Sequence, residues 1–130
     1  MARNLGLILF VRSNVPPACK TIETNNNMFG YCLNPWNRTR SCGGSSGGES
    51  GLVSAFCSPI GLGTDIGGSL RIPADFTGLV TLKCTNNRIS VKGKSFYGKF
   101  SEAAYVKVVL GPLTRNIEDL IIFFDFFFNR

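Results

Sequence analysis

Apolar and polar positions alternate in short blocks along this chain rather than in one sustained period. An apolar block covers residues 5–11 and stops at Arg12, Ser13 and Asn14, before Pro16 and Pro17. A continuous apolar run closed by Asn and Pro predicts a buried strand over residues 7–11. Residues 19–42 are polar and rich in Asn, and predict loop. Glu49 to Ala55 returns to helical spacing, with Leu52, Val53 and Phe56 able to share a face. Residues 79–82 (Leu-Val-Thr-Leu) and 106–110 predict two further strands, the second closed by Gly111 and Pro112. Residues 88–100 predict a loop or short hairpin. A last helix begins after Asn116, a good N-cap residue, with Glu118 and Asp119 in the first turn, where acids favour the helix dipole. It runs into a tail of five Phe between 123 and 128. The tail falls short of the roughly 18 apolar residues a membrane span requires. It predicts an interior helix whose covering partners lie outside this chain.

Strands alternating with helices predict the α/β class. A length of 130 residues allows one domain or part of a larger one. The chain is 44% hydrophobic and 17% charged, which argues against wholesale disorder. The apolar block at 5–11 only touches the lower length of a signal-peptide core, and no small-x-small cleavage site follows it. Residues 37–39 fit a glycosylation sequon, which by itself says nothing about secretion.

The most restrictive count is the absence of histidine. It removes Ser-His-Asp and Cys-His mechanisms and every histidine metal site. The five cysteines are odd in number and contain no C-x-x-C pair, so neither a zinc ribbon nor a disulfide framework is expected. Free thiols in a reducing, intracellular compartment are the simpler reading, in the cytoplasm or at the cytoplasmic face of a membrane. The net charge is +6, yet the 14 cations form no run of four or more, and nucleic acid is not an expected partner.

Two glycine-rich stretches carry the candidate chemistry. Residues 43–48 read Gly-Gly-Ser-Ser-Gly-Gly and lead into the helical spacing; residues 61–69 end in Ile66-Gly67-Gly68-Ser69. A flexible linker is the bland alternative for the first. A nucleophile elbow fits Gly44-Ser45-Ser46-Gly47-Gly48 as a pattern but lacks its strand and its histidine. Gly93-Lys94-Ser95 lacks the earlier glycine of a P-loop, because position 88 is Arg88. Gly61-Leu62-Gly63 is followed by Ile66 where a dinucleotide loop needs glycine. The Ile66–Ser69 stretch is different. Two glycines before a serine let successive N–H groups converge beside a hydroxyl, which suits an oxyanion. Losing one such donor typically lowers a rate by about 10²–10³. Without histidine the base must be Asp, Glu or a desolvated Lys.

These stretches resemble the amidase signature family. The likeness rests on Gly43-Gly44-Ser45-Ser46-Gly47-Gly48-Glu49 and on the run from Gly63 through Asp65, Ser69 and Arg71 to Pro73. Asn14-Val15-Pro16, Asn34-Pro35-Trp36 and Gly111-Pro112-Leu113-Thr114-Arg115 are similar to its fatty-acid amide hydrolase branch. The likeness spans roughly residues 5–122. It implies a partial amidase signature fold: a mixed sheet core flanked by helices, truncated at both ends. The domain would be residues 1–122, with 123–130 a Phe-rich tail of other origin.

The resemblance also implies a serine amidase that hydrolyses a carboxylic amide, a fatty-acid amide within that branch, through an acyl-enzyme. No metal or organic cofactor is required. In the implied Ser–Ser–Lys triad, Ser69 is the nucleophile, and Ser45, beside a cis peptide bond, relays its proton. Ser46 bonds within its own loop. The N–H groups of Ile66, Gly67, Gly68 and Ser69 form the oxyanion hole, while Asp65 and Arg71 brace the nucleophile loop. One element departs from the family. Lys20, the only lysine before Ser45, does not match the position of the family's base, and Lys83 matches a non-catalytic lysine. The alternative expectation is therefore a catalytically inactive form lacking its base. The implied partner is a small-molecule amide; membrane attachment and oligomeric state are not readable.

Overall fold

The computed structural model describes residues 6–91 and 106–128. Two small hairpins open the fold. Strands β1 (Asn25–Asn26) and β2 (Gly30–Tyr31) pair antiparallel, as do β3 (Leu33–Asn34) and β4 (Asn37–Ser41). Helix α1 (Gly47–Ser54) leads to strand β5 (Ile60–Asp65), helix α2 (Arg71–Thr77) and strand β6 (Val80–Thr81). Strand β7 (Val109–Thr114) and helix α3 (Ile117–Phe128) close the chain. The main sheet has the order β5-β7-β6, antiparallel throughout, with Ile60 opposite Thr114 and Asp65 opposite Val109.

The α/β class holds, and the sheet separates two layers of helix. On β5, Gly61, Gly63 and Asp65 face one side, and Ile60, Leu62 and Thr64 the other, by the two-residue period of a strand. The glycine side meets α1. A Cβ on Gly63 would lie 2.6 Å from Ser46 Oγ and 2.7 Å from Leu70 Cδ2, so only glycine lets the helix rest on the strand's backbone. On this side Leu70 and Ala74, from the Ser69 loop and α2, pack with Leu113 of β7. The opposite side holds Ile60, Leu62 and Leu110 against Phe123 and Phe127 of α3, together with Ile89. Phe123 and Phe127 stand four apart on one helix face, with ring centroids 4.5 Å apart.

Three expectations need correction. Residues 7–11 form no strand. None of them pairs with a described strand, and Ile8 is 85% exposed. Only Leu7 reaches the apolar cluster around Phe123, so the run's hydrophobicity does not translate into burial. Residues 19–42 are not plain loop, because their asparagines build the hairpin turns. Asn26 Oδ1 accepts from the N–H groups of Met28 and Phe29, and Asn34 Oδ1 from the N–H of Trp36 at 3.0 Å. Strand β7 does not stop at Gly111 and Pro112 but runs through them. Pro112 is opposite Leu62 on β5 and lies beyond the last pairing of β6, Thr81 with Leu113, so its missing N–H breaks no β6 ladder bond.

The predicted cap of α3 is present: Asn116 Oδ1 accepts from the N–H of Asp119 at 2.8 Å. The helix continues unbroken to Phe128. Its far side, with Ile117, Ile121, Ile122 and Phe128, is exposed. Phe56 does not join the α1 face with Val53. It follows the C-cap in a left-handed conformation (φ 61°) and is exposed, with the Arg115 guanidinium 4.9 Å from its ring centre. Among the described residues no helix is long and apolar enough to cross a membrane. The expected loop or hairpin at 88–100 lies largely outside the described residues.

Candidate functional site

The site forms where α1 starts and where β5 ends. The first glycine stretch is no flexible linker. Gly43 and Gly44 turn the chain at positive φ (76° and 57°), and Gly44 sits against Pro73 and the Ser69 carbonyl, where a Cβ would collide. Cβ atoms on Gly47 and Gly48 would run into Thr24 and Asn14 respectively, so both glycines are demanded by close packing. All described peptide bonds are trans. The cis bond expected beside Ser45 is absent, and the two left-handed glycines make the turn there.

Folding brings together two serines separated by 24 residues. The N–H of Ser45 donates to Ser69 Oγ at 3.3 Å. Ser45 is buried and Ser69 is half-buried. The contact to Ser69 runs through the Ser45 backbone, not its hydroxyl. Ser46 does not bond within its own loop. Its hydroxyl donates to the Thr64 carbonyl at 3.3 Å and accepts from the Thr64 N–H at 3.1 Å. The reason is position: Ser46 precedes α1 and faces β5 over the gap that Gly63 leaves. The first loop is thereby tied to the strand that carries the second.

Asp65 organises the second loop. Its side chain is fully buried, and its carboxylate accepts from the N–H groups of Gly68 (2.8 Å), Leu70 (3.2 Å) and Arg71 (3.4 Å). The Arg71 guanidinium adds two contacts, at 3.0 and 3.1 Å, a bidentate pairing. Burial alone pushes the Asp65 carboxyl upward. The Arg71 guanidinium and the three N–H donors outweigh it and hold the group below its usual range. Arg71 is raised in turn by its bond to Asp65.

Asp65 also engages one of the four N–H groups expected to face an anion. The Gly68 N–H is already committed to Asp65. Among the described residues no acceptor takes the N–H of Ile66, Gly67 or Ser69. Ile66 and Gly67 lie exposed at the loop's crest. Of the four N–H groups of residues 66–69, only that of Gly68 has an acceptor among the described residues.

Four supporting residues, Thr24, Asn34, Trp36 and Arg115, hold contacts that the sequence reading did not assign. Thr24 is fully buried; its hydroxyl donates to the Gly44 carbonyl at 2.7 Å and accepts from the Gly47 N–H at 2.9 Å, clamping both sides of Ser45 and Ser46. Arg115 donates to the carbonyls of Val53 (3.2 Å) and Ser58 (2.8 Å), satisfying the C-terminal end of α1 with a cation. Asn34 and Trp36 donate to the carbonyls of Phe76 and Thr77, doing the same for α2. The Asn34-Pro35-Trp36 and Arg115 motifs were visible as residues. Their partners lie about 40 or more positions away, and no local signal names them. Among the described residues no group of three or more Cys, Asp or Glu is placed to share a metal ion.

Comparison with known proteins agrees with this architecture. The family model described as Amidase matches residues 1–130. Fatty-acid amide hydrolase 1 of Sus scrofa is 44% identical over 119 residues, which cover 90% of this chain and 20% of that protein. An acetamidase of Emericella nidulans is 40% identical over 127 residues, covering 95% of this chain and 22% of that protein. A solved fatty acid amide hydrolase superposes with a TM-score of 0.86 at 40% identity, covering 92% of this chain and 21% of its own. The chain thus spans about a fifth of the length of the curated relatives it matches. Fold and site define an α/β protein with two interlocked glycine–serine loops. The chain belongs to the amidase signature family.

Proposed function

We propose that this chain carries the nucleophile and anion-binding part of a serine amidase, which hydrolyses a carboxylic amide through an acyl-enzyme. The observation that carries the reading is the 3.3 Å contact between Ser45 and Ser69 Oγ, which joins the two glycine loops at one point. In this reading Ser69 Oγ attacks the amide carbonyl, and the developing oxyanion is met by the N–H groups of Ile66, Gly67 and Ser69. Accepting a bond from the Ser45 N–H leaves the Ser69 hydroxyl proton free to depart through the Ser45 hydroxyl toward a lysine. That proton then passes to the leaving amine, and water releases the acyl group. Asp65, Arg71, Ser46 and Thr24 act as positioning residues. The name of the porcine relative favours fatty-acid amides as the substrate class.

A second reading has its own support. No lysine of this chain matches the family's base, and a serine without its base retains only oxyanion and binding contributions. In that reading the chain is catalytically inactive. A fluorophosphonate probe separates the two. Labelling of the folded chain that is abolished by Ser69→Ala supports the amidase reading. A folded chain that stays unlabelled overturns it in favour of the inactive one.

A further inference from the structure

We propose that Cys32 and Cys42 form a reversible disulfide that fastens the β3–β4 hairpin beneath the Ser45 loop. Cys32 precedes β3 and Cys42 follows β4, so they continue the pairing of Leu33 with Ser41. The Cys42 N–H donates to the Cys32 carbonyl at 3.0 Å, and the sulfurs lie 3.7 Å apart. Opposed residues of a hydrogen-bonded antiparallel pair have Cα atoms about 5.5 Å apart. That separation falls inside the range a disulfide bridges. Gly51 of α1 packs on both sulfurs, each 3.3 Å from where its Cβ would be. No other pair of cysteines has its sulfurs in contact among the described residues.

The two thiols divide the work. Cys42 is buried and Cys32 half-buried, so Cys32 meets the reagent. Its hydrogen bond with Cys42 holds the Cys32 thiol below its usual range against the effect of burial, while the same bond and burial push Cys42 up. The oxidant is a small-molecule disulfide. The Cys32 thiolate attacks one of its sulfurs, the reagent's S–S bond breaks, and one reagent thiol leaves. Cys42 then loses its proton and displaces the second reagent thiol from Cys32. Two protein thiols are oxidised to one disulfide, and one reagent disulfide is reduced to two thiols.

The consequence falls on the serine loop. Cys42 is followed by Gly43, Gly44 and Ser45. The Cys32 N–H donates to the carbonyl of Thr24, whose hydroxyl holds Gly44 and Gly47. A bridge closes a ring through Thr24 and both sides of the loop, and this inference stands whether or not Ser69 is a nucleophile.

The test treats the intact chain with oxidised glutathione, blocks remaining thiols and digests with trypsin without reduction. Cleavage after Lys20, Arg38, Arg40 and Arg71 leaves Cys32 in peptide 21–38, and Cys42 with Cys57 in peptide 41–71. The expected product joins these peptides, survives Cys57→Ser, and gives way to a glutathione adduct on Cys32 in Cys42→Ser. Amide exchange at residues 43–47 is expected to slow severalfold on oxidation, and not in Cys42→Ser. Glutathione adducts without a bridge, pairing scattered over all five cysteines, or a bridge that leaves exchange at 43–47 unchanged each overturn the proposal.

Discussion

The glycine–serine loops and the segment at residues 7–11 represent opposite relations between a chain and its surroundings. Around Ser45 and Ser69 the loops are held by hydrogen bonds within the described residues: Asp65 accepts five, Thr24 binds both sides of one loop, and Ser46 binds Thr64 twice. Residues 8–11 are apolar, yet all four are exposed. The difference follows from the two kinds of interaction. A hydrogen bond is directional and complete once two atoms meet, so a few loops can satisfy one another. Hydrophobic burial scales with covered area and needs whole faces of neighbouring structure. A pair of loops can therefore be held in place by hydrogen bonds while an apolar segment elsewhere in the chain is uncovered.

The comparison can be broken first at the larger of the two buried apolar clusters among the described residues. Phe123→Ala removes a buried ring between α3 and the sheet, and is expected to cost about 3–5 kcal/mol by denaturant unfolding. If it costs no more than a surface change, α3 is not the second layer.

Asp65→Ala strands the N–H groups of Gly68 and Leu70, and is expected to cost about 2–4 kcal/mol and to loosen the Ser69 loop. The pH dependence sharpens this. Because the folded carboxyl lies below its ordinary value, its contribution is fully present above the unfolded value of about 3.9 and fades as pH falls through the lower, folded one. Asp65→Asn should flatten that part of an acid-unfolding curve, and an unchanged curve would remove Asp65 from the account.

Gly63→Ala places a methyl against Ser46 and Leu70. A loss of about 1–3 kcal/mol is expected, read as a lower thermal midpoint. Thr24→Val keeps the shape but deletes both clamping bonds. A loss of about 1–2 kcal/mol is expected, with faster amide exchange at Gly44 and Gly47. Ile8→Ser lies at the other end of the comparison and should shift stability by no more than about 0.5 kcal/mol. A large loss there would show that residues 7–11 are covered in solution.

Signals that act over a few residues were legible without a structure. They include the helix after the first glycine loop, the Asn116 cap of α3, the strands around 80 and 110, and the two serines with Asp65 and Arg71 close in sequence to one of them. The asparagines of 19–42 were legible only as turn formers, because a two-residue strand has too little pattern to show a period. Misreading residues 7–11 has a different origin. Hydrophobicity reports what a segment gains if covered, not whether anything covers it. For Pro112 the local rule was sound but its application was not, because proline ends a strand only where a neighbour needs its N–H.

The amino-acid sequence by itself determined the family, the class and the residues available for chemistry, since these rest on residue identity and short spacing. Only the tertiary structure decided that the Gly68 N–H belongs to Asp65, that Ser46 reaches Thr64, that Thr24 clamps the Ser45 loop, and that Cys32 faces Cys42. Apart from the Gly68–Asp65 bond, which spans three residues, each is a contact between atoms a few ångströms apart on segments that chain order separates. Which of several chemically able partners a group meets is set by how the layers pack, and that information is spread over the whole fold.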